Sequence, residues 1–160
     1  MDDLAELAER SDMVITGHLT AVDVSSPIYA TPDPGTPEAT YGGQVLTTTV
    51  KPSDGGRSIK VEFIYQFAGD QALKDARDVV LPDEEVVLAL VPTGDANGKT
   101  YRCVADSSWC PLVWNGEGLE SASWSSGTLP LHADQPVASF SSLDDVTADM
   151  VEGTDAELLG

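Results

Sequence analysis

From 58 to 67 the chain alternates: Ile59, Val61, Phe63, Tyr65 and Phe67 fall on one side of an extended backbone, and Lys60, Glu62, Ile64 and Gln66 on the other. A period of two marks a strand with one face on a core. The same reading gives a long β-branched strand over 13–24, with Gly17 inside it as the place for a bulge or a sharp barrel bend. Residues 44–50 predict a second strand, and the turn 53–56 leads into the alternating one. Residues 86–91 are a continuous apolar run, expected to be buried on both faces. Asn97-Gly98 supplies the positive φ angles of a hairpin that returns through 101–104. A further hairpin is expected from 111–114 and 119–124 around the turn 115–118.

Helical spacing shows at the two ends of the chain. Asp2 or Asp3 caps a short helix with Leu4, Leu7 and Ala8 on one side, and Arg10, Ser11 and Asp12 break it. Near the other end Ser142 and Asp145 form a capping box with Asp in place of Glu, and Leu143, Val146 and Met150 make an apolar stripe. Gly153 ends that helix, and 154–157 is expected to begin a last short turn. Residues 69–80 read as a short helix or a loop, and 127–140 as short extended pieces marked by Leu129, Leu131 and Val137. The segment 25–43 differs in kind: Pro27, Pro32, Pro34 and Pro37 with Gly35, Gly42 and Gly43 predict a long extended loop.

Many short strands without strand–helix alternation predict a mainly β protein, a small barrel or sandwich of OB-like type with a short N-terminal helix and a C-terminal acidic helix. The division expected is a barrel over 1–141 and an acidic helix and tail over 142–160.

The stretch Leu7-Ala-Glu-Arg-Ser-Asp-Met-Val-Ile-Thr-Gly-His-Leu-Thr-Ala-Val22, together with Asp83-Glu-Glu-Val-Val-Leu-Ala-Leu90 and Lys99-Thr-Tyr-Arg102, resembles a group of uncharacterised bacterial extracytoplasmic small-barrel domains. In that group a strand of the type SD-V-V-x-G-x-V opens the barrel and one of the type GE-x-Y-L-L-F-L precedes a hairpin. The resemblance covers roughly residues 5–115. It departs where the group has Gly before the acidic residue, since Asp83 precedes Glu84 here. It implies an OB-like barrel outside the cytoplasm and supplies no catalytic residues.

Charge narrows the partner classes. Asp and Glu number 27 against 8 Lys and Arg, a net charge of −19, and no Lys or Arg follows Arg102. Phosphate recognition rests on Lys and Arg, so neither nucleic acid nor an anionic membrane surface is expected as a direct partner. No apolar run is long enough to cross a bilayer as a helix. Such charge reads as a solvated surface, or as an acidic face for a basic partner.

Cys103 and Cys110 stand seven apart, and His18 and His132 are remote from them in sequence, which is poor zinc spacing. A disulfide closing a short loop is expected, with two buried thiols as the alternative. Met1 is followed by acidic residues rather than a signal sequence. The Cys pair favours a mature extracellular or cell-envelope form, with a cytoplasmic protein as the alternative.

No catalytic constellation, cofactor motif or metal site is legible. The serines lie outside any Gly-x-Ser-x-Gly elbow, and Asp83-Glu84 and Asp144-Asp145 are adjacent in sequence and so diverge rather than converge. Asp54, Asp95 and Asn97 lack the distal Glu of a calcium loop. Among the tryptophans, Trp109 sits in the Cys-closed loop beside Asp106, Ser107 and Ser108, while Trp114 and Trp124 are expected in the core of the last hairpin. The interaction residues expected are Trp109, Asp106 and Ser108, with Pro32, Pro34 and Pro37 in the long loop. The function that follows is a non-enzymatic extracytoplasmic module that binds another protein through these two loops, with a protease inhibitor as one form of it. An acidic decoy for a basic nucleic-acid-binding protein is the alternative, and a hydrolase using His18 or His132 is the third reading.

Overall fold

In the computed structural model the described residues are 3–24, 28–29, 42–67, 85–93, 100–104, 110–121 and 128–159. The chain is mainly β. Helix α1 (Leu4–Glu9) leads into β1 (Met13–Val24), β2 (Ile28–Tyr29), β3 (Gly42–Pro52), β4 (Ile59–Phe67), β5 (Val86–Pro92), β6 (Thr100–Cys103), β7 (Leu112–Trp114) and β8 (Leu119–Ser121). Helix α2 (Leu143–Val151) and β9 (Glu157–Leu159) follow.

Five strands close a barrel in the order β1-β3-β4-β6-β5 and back to β1. All neighbours are antiparallel except β4 and β6, which run parallel. Closure depends on β1 serving two neighbours. Its first half, Met13 to Gly17, pairs with β5, and from Gly17 onward it pairs with β3, with a register shift between Leu19 and Ala21. Gly17 belongs to both registers, and the backbone of Lys51 passes so close that a Cβ there would strike its carbonyl oxygen. The bend expected at Gly17 is therefore built on a backbone approach that only glycine permits.

The run 86–91 is buried on both faces as its sequence requires. Val86, Leu88 and Leu90 point into the barrel with Met13, Ile15, Leu19, Val50 and Val61. Val87 and Ala89 point outward into a second cluster with Val14, Leu112, Leu119, α1 and α2. One strand thus joins two cores. The hairpin β7–β8 and both helices cover the outer face of β1 and β5, while β3 and β4 lie on the far side of the ring.

Capping follows the sequence closely. Asp3 is the N-cap of α1 and accepts from the Glu6 N–H at 2.6 Å. Ser142 caps α2 by accepting from the Asp145 N–H at 3.1 Å. The capping box is not reciprocal, because the Asp145 carboxylate accepts from the Ser141 hydroxyl at 2.5 Å. Gly153, at φ +77°, turns the chain beyond α2.

Four expectations change. The end of the chain forms β9 rather than a last turn, pairing in parallel with Met13–Ile15 on the edge of β1 that β3 leaves free before Gly17. Residues 142–160 are also not a tail beside the barrel: Leu143, Val146 and Met150 are buried in the outer cluster, and Leu159 packs on the barrel core. Within 25–43, Ile28 and Tyr29 pair with Gly43 and Gly42, so the long loop has a paired base. Val137 is 53% exposed rather than crossing the body, whereas Leu129 is buried. The expected hairpin turn at Asn97-Gly98 and the helix or loop at 69–80 lie outside the described residues.

Candidate functional site

Among the described residues two places bring together side chains with chemistry. The first is the base of the Cys-closed loop. β6 carries Cys103 toward the barrel interior, where its partner Leu90 belongs to the core. The chain returns at Cys110, which is 2% exposed in the same cluster, and the two cysteines form a disulfide with a Cα–Cα distance of 6.2 Å. Val104 donates its N–H to the carbonyl of Ala89 at 3.0 Å, which fixes the first stem. A cis peptide joins Cys110 to Pro111, after which β7 pairs with β5. Both stems are thus held by the barrel. The loop's own contact candidates, Asp106, Ser108 and Trp109, lie outside the described residues, as do Pro32, Pro34 and Pro37. Trp124 does too, while Trp114 packs against the outer cluster as expected. A disulfide is compatible with an oxidising compartment, and among the described residues no helix is long and apolar enough to cross a membrane.

The second place was not legible as a site in the sequence. It is an open cleft of about 420 Å³ lined by His18, Lys51, Pro52, Ser53, Gly55 and Glu85. The bend at Gly17 creates it. His18 is the next residue along β1 and pairs with Lys51 of β3, and the β1–β5 register ends at Gly17 and Val86, which leaves Glu85 beside His18 on the other side. Lys51 and His18 therefore face each other across β3 and β1, and Glu85, immediately before β5, lines the same cleft. The turn after β3 supplies Ser53. Its N–H donates to the Thr16 carbonyl at 3.0 Å, and Gly55, at φ +82°, donates to the Pro52 carbonyl at 3.1 Å. Asp54 accepts from the Gly56 N–H at 2.8 Å, an ordinary turn-stabilising contact.

The Ser53 hydroxyl donates to the Glu85 carboxylate. A serine–histidine–acid relay needs the imidazole between hydroxyl and carboxylate. Here the hydroxyl goes straight to the carboxylate. His132, the other histidine, is exposed, and its carbonyl accepts from the Gln135 N–H. Among the described residues no group of three or more His, Cys, Asp or Glu side chains converges as a metal ion would require. Gly17 and His18 were both visible in the sequence. Their proximity to Lys51 and Glu85 depends on strand register, which no local motif encodes.

No protein-family model, curated protein or solved structure matches the chain.

Proposed function

We propose that the protein is a non-enzymatic extracytoplasmic module that binds another protein through the Cys-closed loop, with Trp109, Asp106 and Ser108 as its contacts, and through the loop carrying Pro32, Pro34 and Pro37. The observation that carries this reading is the disulfide rooted in the barrel: a short loop whose two stems are both fixed loses little entropy on meeting a partner. Tryptophan contributes strongly to such contacts because a large rigid side chain is desolvated at low entropic cost. The pairing of Ile28 and Tyr29 with Gly43 and Gly42 gives the Pro-rich segment a comparable base. One form of the module is a protease inhibitor, whose disulfide-held loop enters an enzyme cleft.

The test is parallel capture from an extracytoplasmic extract with wild-type protein, Trp109→Ala and the Cys103→Ala/Cys110→Ala double variant, each first shown to be folded by its NMR spectrum. A protein retained by wild type and lost from Trp109→Ala supports the reading. Equal retention of every captured protein by all three forms overturns it. A panel of secreted proteases separates the inhibitor form, which full protease activity in excess protein would remove.

A second reading, an acidic decoy for a basic nucleic-acid-binding protein, draws on one feature. Asp144, Asp145 and Asp149 are exposed on α2 away from its buried stripe, Glu152 is exposed at its C-cap, and no Lys or Arg lies in sequence beyond Arg102. Such binding would weaken steeply with added salt. A partner held equally well at low and high salt would dismiss it.

A further inference from the structure

We propose that the cleft at the Gly17 bend binds a small zwitterion of the amino-acid or short-peptide class, its carboxylate on Lys51 and its ammonium group on Glu85. Lys51 and His18 are exposed, and neither side chain forms an ion pair or hydrogen bond with another described residue. Glu85 is half-buried and lines the cleft, and the Ser53 hydroxyl donates to one of its oxygens, which holds the carboxylate in place. A cation, a carboxylate and an imidazole that donates or accepts therefore line one cleft, where β1 and β3 are held in register and the β1–β5 pairing ends.

Charge selects the ligand class. A lone anion must approach a protein of net charge −19, and that field opposes its binding to one lysine. A lone cation would leave Lys51 as a repulsive neighbour. A ligand carrying both signs enters the field with no net charge and satisfies both groups. The cleft volume, about 420 Å³, falls in the range of small-molecule sites. This site is separate from the Cys-closed loop, so its test stands apart from that of the protein-binding reading.

The experiment is an NMR titration of the ¹⁵N-labelled full chain with alanine, alanyl-alanine, N-acetyl-alanyl-alanine and alanyl-alanine amide. Saturable shifts are expected at the amides of His18, Lys51 and Gly55. Blocking either end of the dipeptide is expected to weaken binding about tenfold, the worth of one charge-assisted hydrogen bond. Lys51→Gln should abolish the preference for a free carboxylate and Glu85→Gln the preference for a free amine. Lys51 is exposed, so its variant keeps the test valid even where Glu85→Gln disturbs the turn at Ser53. Binding of alanine as strong as that of the dipeptide assigns a free amino acid, and stronger dipeptide binding assigns a peptide. The absence of shifts up to about 10 mM, or equal binding of the blocked and free dipeptides, overturns the proposal.

Discussion

Gly17 of β1 and Lys51 of β3 approach so closely that the space a Cβ would need at Gly17 is already taken by the Lys51 carbonyl oxygen. The obstruction is backbone, and the same residue is the point where β1 passes from β5 to β3, so neither strand can yield alone. Gly17→Ala is expected to destabilise the fold by about 1–3 kcal/mol, the usual cost of forcing atoms into a packed interior. Urea unfolding checks this. The variant should lower the midpoint with little change in slope, whereas wild-type stability would show that the two strands separate freely at this point.

That glycine also marks how far the sequence could be read. Its place inside a β-branched run announced a bend, and the apolar run 86–91 announced a strand between two cores, because both signals lie in neighbouring residues. β9 gave no such signal. Glu157, Leu158 and Leu159 are too few to show a period, and they are recruited by an edge of β1 that becomes free only because β3 starts its pairing at Gly17. Lys51, His18 and Glu85 were hidden for the same reason, since their common cleft is a product of how β1, β3 and β5 meet. The disulfide was legible because sequence separation alone made a short closed loop feasible.

Asp3 serves two segments with one carboxylate. One oxygen accepts from the Glu6 N–H at 2.6 Å, and the other accepts from the Ala133 N–H at 2.7 Å across a separation of 130 residues. Asp3→Ala removes both contacts and is expected to cost about 1–2 kcal/mol, toward the upper end for an N-cap. Asp3→Asn keeps one acceptor oxygen and should fall between the variant and wild type. Thermal unfolding of the three proteins tests the order, and wild-type stability for Asp3→Asn would show that a second contact contributes nothing.

The disulfide between Cys103 and Cys110 closes a short loop, with a sequence separation of 7. Loop-closure entropy for such a length predicts about 2–3 kcal/mol of stabilisation, acting largely on the unfolded chain. Cys103→Ala/Cys110→Ala is expected to lose that amount and to unfold at the same midpoint with or without reductant. Wild type should fall toward the double variant when dithiothreitol is added. A wild-type midpoint unmoved by reductant, with the thiols shown to be free, would mean that packing alone holds both stems.

Helix α2 has its acidic residues placed with unequal effect. Asp144 and Asp145 lie in the first turn, where the N-terminal end of the helix dipole favours negative charge, while Glu152 is the C-cap and no basic residue lies in the last turn. Glu152→Lys is expected to raise stability by about 0.3–1 kcal/mol, and Asp144→Lys to lower it by a similar amount. Both effects should shrink in high salt. A stabilisation of the same size from both substitutions would instead identify relief of overall negative charge as the cause.

Met150 is fully buried among Leu4, Leu7, Val14 and Leu143 in the cluster that lies outside the barrel. That cluster is shared by α1, α2, β5 and the β7–β8 hairpin, so α2 is part of the second core rather than an appendage. Met150→Ala is expected to cost about 2–5 kcal/mol through lost contacts and a residual cavity. Removing 142–160 altogether would uncover that apolar surface and also strip β9 from the edge of β1. The shortened chain is expected to lose cooperative unfolding and to bind a hydrophobic dye. A truncated protein with a dispersed NMR spectrum and an unchanged thermal midpoint would show that the closed barrel is stable without its outer cluster.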